Sequence, residues 1–215
     1  MKLYCLSGLG VDKRAFQNIK PKGVELIHID WIEPLLKETL EEYSKRLFDR
    51  VQPEDGYSLI GVSFGGMISA EFSKNKQPNK LFLVSTINNR KELSGLFKIG
   101  SALCLHKLIP IGLMRRANAI TNYFFSVKDV LDKKLLSEIL YDTDPKFMKW
   151  AINAVVKWRN NGKPNGIKIH GTKDRMLPLN SESQYRIKGG GHFMIVNRGF
   201  EISRILEKEA VSVIK

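Results

Sequence analysis

The chain carries only two cysteines, Cys5 and Cys104, too few for a disulfide framework. Both read as reduced thiols, Cys5 inside an apolar strand-like run. There is no P-loop, no G-x-G-x-x-G fingerprint and no cluster of His, Cys, Asp and Glu at metal-ligand spacing, so neither a nucleotide cofactor nor a metal ion is expected. No apolar run suffices to cross a bilayer: the segment from Ser101 to Met114 is short and broken by His106, Lys107 and Pro110. A single lysine precedes the first fold-forming residues, which is no secretory leader, so a cytoplasmic, reducing location is the expectation. Low-complexity stretches, long linkers and internal repeats are also absent. The 215 residues are expected to form a single domain, long enough to bury roughly 70% of the unfolded chain's surface.

Lysine and arginine are plentiful, and the formal net charge is +13. The basic residues are spread along the chain without a nucleic-acid-binding signature, so a solvated lysine-rich surface is expected and a nucleic-acid partner is not. Lys98, Lys107, Arg115 and Arg116 interleave with apolar residues, a pattern suited to peripheral contact with an anionic membrane surface or to an acidic substrate.

Short apolar runs alternate with amphipathic stretches, which predicts an α/β architecture with a mostly parallel sheet covered on both faces. Strands are expected near 2–6, 24–29, 57–62, 80–85, 166–170 and 184–187. Helices are expected near 37–51, where Leu40, Tyr43, Leu47 and Val51 recur at helical spacing, near 65–76 and near 193–213.

The most specific motif is Gly61-Val62-Ser63-Phe64-Gly65, set between the strand-like Tyr57-Ser58-Leu59-Ile60 and a helix-like stretch from Gly66. A serine that must present its hydroxyl can sit on a sharp, strained strand-to-helix turn, and glycines at 61 and 65 remove Cβ atoms that would collide there. The same turn would aim the Phe64 backbone N–H, at the start of the new helix, towards the space above Ser63 Oγ. A G-x-S-x-G pattern alone is common, and it needs an acid and then a histidine further along. Gly166-Ile167-Lys168-Ile169-His170-Gly171-Thr172-Lys173-Asp174 reads as a strand running into a loop that carries Asp174, and Tyr185-Arg186-Ile187 is followed by Gly189-Gly190-Gly191-His192.

In these residues the chain resembles the α/β-hydrolase superfamily, with its nucleophile elbow, an H-G-x-x-D-like loop and a histidine after the last strand. The resemblance spans nearly the whole chain. It implies that Ser63 is the nucleophile, His192 the general base and then acid, and Asp174 the carboxylate that orients the imidazole. Leu81 to Thr86 is followed by Ile87, Asn88 and Asn89, so no carboxylate stands at the alternative position after that strand. Ser7-Gly8-Leu9-Gly10 is similar to the family's H-G-x-G loop with serine replacing histidine, and implies a second oxyanion donor in the backbone N–H of Leu9, beside that of Phe64. Met1 leads straight into the strand before this loop, so a sheet trimmed to about six strands is expected. The long stretch at about 91–160, with an apolar first half, implies a helical cap insertion over an acyl or aromatic pocket.

The resemblance thus implies a cofactor-independent serine hydrolase acting on a small-molecule ester, thioester or related acyl compound. The alternatives are a lyase or carbon–carbon bond hydrolase on the same triad, and a non-catalytic ligand-binding protein of the same fold. The remaining histidines read as structural: His28 in an alternating run, His106 in an apolar segment, and His170 at a strand end, the best placed to support the site.

Overall fold

Consecutive apolar residues in runs too short for helices can be buried only in strands covered on both faces. The computed structural model describes residues 1–9, 11–93, 112, 115–160, 162, 164–179 and 182–211. Gly10, Lys98, Cys104, His106, Lys107 and the apolar side chains read between Leu96 and Met114 lie outside them. Six strands, β1 (Lys2–Leu6), β2 (Glu25–His28), β3 (Ser58–Val62), β4 (Leu81–Val84), β5 (Ile167–Gly171) and β6 (Tyr185–Ile187), form one parallel sheet in the order β2-β1-β3-β4-β5-β6. The chain has the α/β-hydrolase architecture expected of it.

Alternation along the strands divides the core in two. Leu3, Cys5, Ile60, Val62, Phe82 and Val84 face one side of the sheet, where Leu136, Ile139 and Leu206 cover them. Tyr4, Leu6, Leu59, Leu81 and Leu83 face the other, under Tyr43, Leu47, Ile68 and Phe147. Burial pushes the Cys5 thiol well above its ordinary pKa, so it is an inert core group.

Helix α1 (Leu40–Val51) starts later than its periodicity predicts because Thr39 and Glu42 form a reciprocal capping box. The Glu42 N–H donates to Thr39 Oγ1 at 3.2 Å and the Thr39 N–H to Glu42 Oε2 at 2.8 Å, an end-stop contributing about 1 kcal/mol. Helix α2 (Phe64–Phe72) is buried along its whole length. Between β4 and β5 lie α3 (Ala119–Phe125), α4 (Val130–Asp142) and α5 (Pro145–Lys157), capped by Asn118, Asp129 and Asp144. Pro145 opens α5 at the position where a missing N–H is harmless.

The continuous C-terminal helix expected from residue 193 is instead two, α6 (Met194–Asn197) and α7 (Gly199–Val211). The Asn18 side-chain amide donates to the Val196 carbonyl at 2.9 Å, taking an acceptor that a continuous helix would use internally. Among the described residues no helix is long and apolar enough to cross a membrane.

Candidate active site

Parallel pairing brings the C-terminal ends of β3, β4 and β5 level, with Val62 opposite Val84 and Val84 opposite Ile169. The candidate site sits at these strand ends. Ser63 leaves β3 with φ 52° and ψ −114°, a backbone conformation that a non-glycine residue adopts at a cost of roughly 1–3 kcal/mol. The turn is held from several sides. The Ser63 N–H donates to the Val84 carbonyl at 2.9 Å, and Thr86 Oγ1 donates to the Ser63 carbonyl at 2.6 Å. Strand and helix approach so closely that a Cβ on Gly61 would lie 2.5 Å from the Gly65 carbonyl oxygen, and one on Gly65 would lie 2.5 Å from the Leu6 carbonyl oxygen.

Ser63 also occupies the N-cap of α2, where a serine hydroxyl ordinarily accepts from the helix's first N–H groups. Its hydroxyl makes no such bond. The Gly66 and Met67 N–H groups go to the Ser63 carbonyl, at 3.0 and 3.3 Å, which leaves Phe64 heading a helix whose first N–H has no intrahelical acceptor.

The freed hydroxyl points to histidine. Ser63 Oγ lies 2.9 Å from His192 Nε2, and His192 Nδ1 lies 2.9 Å from Asp174 Oδ2 and 3.1 Å from Asp174 Oδ1. A carboxylate can only accept, so Nδ1 carries the hydrogen and Nε2 offers a lone pair to the serine. Both partners are buried, His192 at 5% and Asp174 at 6% exposure. Burial alone would raise the Asp174 pKa. Electrostatic interaction with the His192 ring and hydrogen bonds from His170, His192 and the Leu177 N–H outweigh it, holding the carboxyl well below the usual carboxylate range.

The two loops that carry the acid and the histidine are tied together. The Thr172 N–H donates to the Ile187 carbonyl at 3.0 Å and the Lys173 N–H to the Gly190 carbonyl at 2.8 Å. Phe125, at the end of α3, sets its ring edge-on to the imidazole with centroids 5.4 Å apart, and its carbonyl accepts the Phe193 N–H at 3.1 Å.

On the opposite flank, the Ser7 hydroxyl donates to the Val11 carbonyl, while the Val11 N–H returns to the Gly8 carbonyl at 3.1 Å. These bonds close the loop locally. A Cβ built on Gly8 would stand 3.4 Å from that of Ser63, so the Gly8–Leu9 turn lies beside the serine.

Ser63, Phe64, Asp174 and His192 therefore converge, with Leu9 on their flank. His28 does not join them: it ends β2 at the sheet edge, packed on Phe16 with centroids 5.3 Å apart. His170 does approach, with Nε2 3.4 Å from Asp174 Oδ2. Thr86, Phe125 and Trp31 escaped sequence reasoning. Thr86 had a faint signal, a hydroxyl two residues past the end of β4; the two aromatics reach the site through long-range contacts that no local pattern marks. Trp31 and Phe147 pack on Phe64 with centroids 5.4 and 6.2 Å away. They also line a cavity of about 450 Å³, where Val11, Ile32 and Ile139 stand alongside the charged Asp12, Glu33, Asp142, Asp144 and Lys146. Among the described residues no three of His, Cys, Asp and Glu gather as metal ligands.

No family model matches the chain, and no curated protein matches it in sequence. Solved structures do match in shape. An esterase from Exiguobacterium antarcticum superposes with a TM-score of 0.75 at 13% identity, over 97% of this chain and 91% of that one. A thermophilic esterase from Thermogutta terrifontis gives 0.74 at 13% identity, over 99% and 90%. A hydrolase from Oleispira antarctica gives 0.72 at 16% identity, over 95% and 89%. These are proteins of the α/β-hydrolase fold, and the chain shares that fold across nearly its whole length.

Proposed function

We propose that the protein is a cofactor-independent serine hydrolase that cleaves a small ester, thioester or related acyl compound. One observation carries the reading: an unbroken hydrogen-bonded series from Asp174 through His192 to the hydroxyl of Ser63, on a serine held at positive φ. Core packing has no use for such a strained serine. The esterases and the hydrolase among the structural neighbours support the same chemistry.

In this mechanism His192 Nε2 takes the hydroxyl proton as Ser63 Oγ attacks the substrate carbonyl carbon. The carbonyl oxygen gains negative charge and accepts from the backbone N–H groups of Phe64 and Leu9, each such donor contributing about 3–4 kcal/mol to transition-state stabilisation. Asp174 stays ionised and stabilises the imidazolium. The tetrahedral intermediate collapses, the leaving oxygen or sulfur takes the proton from His192, and an acyl-serine remains. Water then gives a proton to the same nitrogen, attacks the acyl carbon and releases the carboxylic acid as the proton returns to Ser63.

The cavity beside Phe64 carries Trp31, Ile32, Ile139 and Phe147 but also Asp12, Glu33, Asp142, Asp144 and Lys146, so it is suited to a group with both apolar and polar parts. Within the stretch at about 91–160, α3 acts as part of a cap, with Phe125 screening His192 from water. Turnover of a panel of esters and thioesters in ¹⁸O-water tests the proposal. Heavy oxygen in the released acid, lost in Ser63→Ala, is the expected result. Turnover that persists in purified Ser63→Ala, or product formed without incorporation of water oxygen, would overturn it.

A further inference from the structure

His170, one residue before the end of β5, is 1% exposed. Its Nε2 lies 2.7 Å from the Leu177 carbonyl oxygen and 3.4 Å from Asp174 Oδ2. Both neighbours are acceptors, so Nε2 carries the ring's hydrogen. Leu177 is held a second time, because its N–H donates to Asp174 Oδ1 at 2.8 Å. His170 thus grips the far end of the turn that runs from Asp174 to Leu177, and that turn presents the carboxylate. Asp174 Oδ1 accepts from Leu177, and the nearer contact with His192 Nδ1 is made by Oδ2, at 2.9 Å against 3.1 Å for Oδ1.

The other side of the ring argues against simple core filling. His170 Nδ1 is buried with no hydrogen-bond partner among the described residues, and burying an unpaired polar atom costs about 1–3 kcal/mol. A phenylalanine or leucine would fill this space without that cost. What histidine adds is the Nε2–H.

We propose that His170 is a positioning residue: its Nε2–H, shared between the Leu177 carbonyl and the Asp174 carboxylate, sets the orientation in which Asp174 meets His192. The catalytic consequence rests on the serine-hydrolase reading; the geometry at Asp174 does not. Removing the donor frees the Asp174–Leu177 turn, and a displacement near 1 Å at a catalytic group lowers rate by about 10²-fold.

The test uses the full chain and a fluorophosphonate probe, with the inactivation rate constant and the probe's binding constant measured separately. His170→Phe keeps a ring and loses the donor, and His170→Gln places an amide N–H near the position of Nε2. The expected result is an inactivation rate constant about 10²-fold lower in His170→Phe, unchanged probe binding, and recovery to within about threefold in His170→Gln. The far-downfield proton resonance of His192 Nδ1–H should shift in His170→Phe and return in His170→Gln. Should His170→Phe fail to fold, His170→Asn, whose shorter amide stops short of Leu177, replaces it under the same expectation. Wild-type rates in the donor-less variant, equal losses in the donor-bearing and donor-less variants, or an unmoved His192 resonance would each overturn the proposal. Wild-type protein that shows the resonance yet never reacts with the probe would instead sink the hydrolase reading, leaving the resonance shifts to judge His170.

Discussion

Replacing Asp174 by asparagine changes one atom, and the geometry dictates which way the amide turns. The Leu177 N–H, 2.8 Å from Asp174 Oδ1, requires an acceptor there, so the asparagine oxygen takes that position. Its NH₂ then occupies the place of Oδ2, 2.9 Å from His192 Nδ1 and 3.4 Å from His170 Nε2. The nearer partner of Nδ1 is now a donor, and the one acceptor left to it is the oxygen 3.1 Å away that the Leu177 N–H already engages. The imidazole escapes by moving its hydrogen to Nε2, and the nitrogen 2.9 Å from Ser63 Oγ no longer has a lone pair for the serine proton. Two losses can be compared. A charge-assisted hydrogen bond contributes about 1.5–3 kcal/mol, a factor of roughly 10–150 in rate. Inverting the tautomer removes the base itself, and the same substitution in a chymotrypsin-type triad lowers kcat by about 10⁴. The tautomer effect dominates, so fluorophosphonate labelling of Asp174→Asn should slow by about 10⁴-fold while circular dichroism and thermal unfolding confirm a folded protein. A folded variant that labels within tenfold of wild type would refute the reasoning, because Asp174 would then not set the state of His192.

Gly65→Ala should lower stability by about 3 kcal/mol, or roughly 6–12 °C in Tm by calorimetry, because the new Cβ meets the Leu6 backbone carbonyl rather than a movable side chain. Thr86→Val keeps the shape but deletes the 2.6 Å bond to the Ser63 carbonyl, and should cost about 1 kcal/mol in chemical denaturation with a slower labelling rate. The Asp174 pKa is depressed in the folded state, so its contribution to stability is complete above the unfolded value of about 4 and is lost as pH falls through the folded value. The stability gap between wild type and Asp174→Asn should therefore shrink as urea titrations are taken from pH 6 towards pH 2; a constant gap would contradict the depressed pKa.

Much of this arrangement was legible because its signals are local. Leu3, Leu59, Phe82 and Ile169 lie in apolar runs that only a covered strand can bury, and the six expected strands all form within a residue or so of their predicted ends. Gly61, Ser63 and Gly65 mark a turn whose steric demands are written into three positions. The Ser7 loop departs from the H-G-x-G pattern it resembles, yet a hydroxyl can reach a carbonyl four residues on, and it does. What stayed hidden depends on residues remote in sequence. Asn18 meets the C-terminal helix at its break from across the fold, and within residues 193–213 only Gly199, where a Cβ would collide with Asn18, marks the place. Phe125 and Trp31 reach His192 and Phe64 only after α3 and the segment following β2 have packed. His170 stood out as a strand-end histidine, but its grip on Leu177 needed the turn after Asp174 to be seen.

The measurement that bears most directly on the central claim is fluorophosphonate labelling of the purified protein, read by peptide mass spectrometry with Ser63→Ala alongside. The account predicts a single adduct on Ser63, absent from the mutant and slowed by loss of His192 or Asp174. Folded wild-type protein that takes no label, or that is labelled equally with and without Ser63, would contradict it.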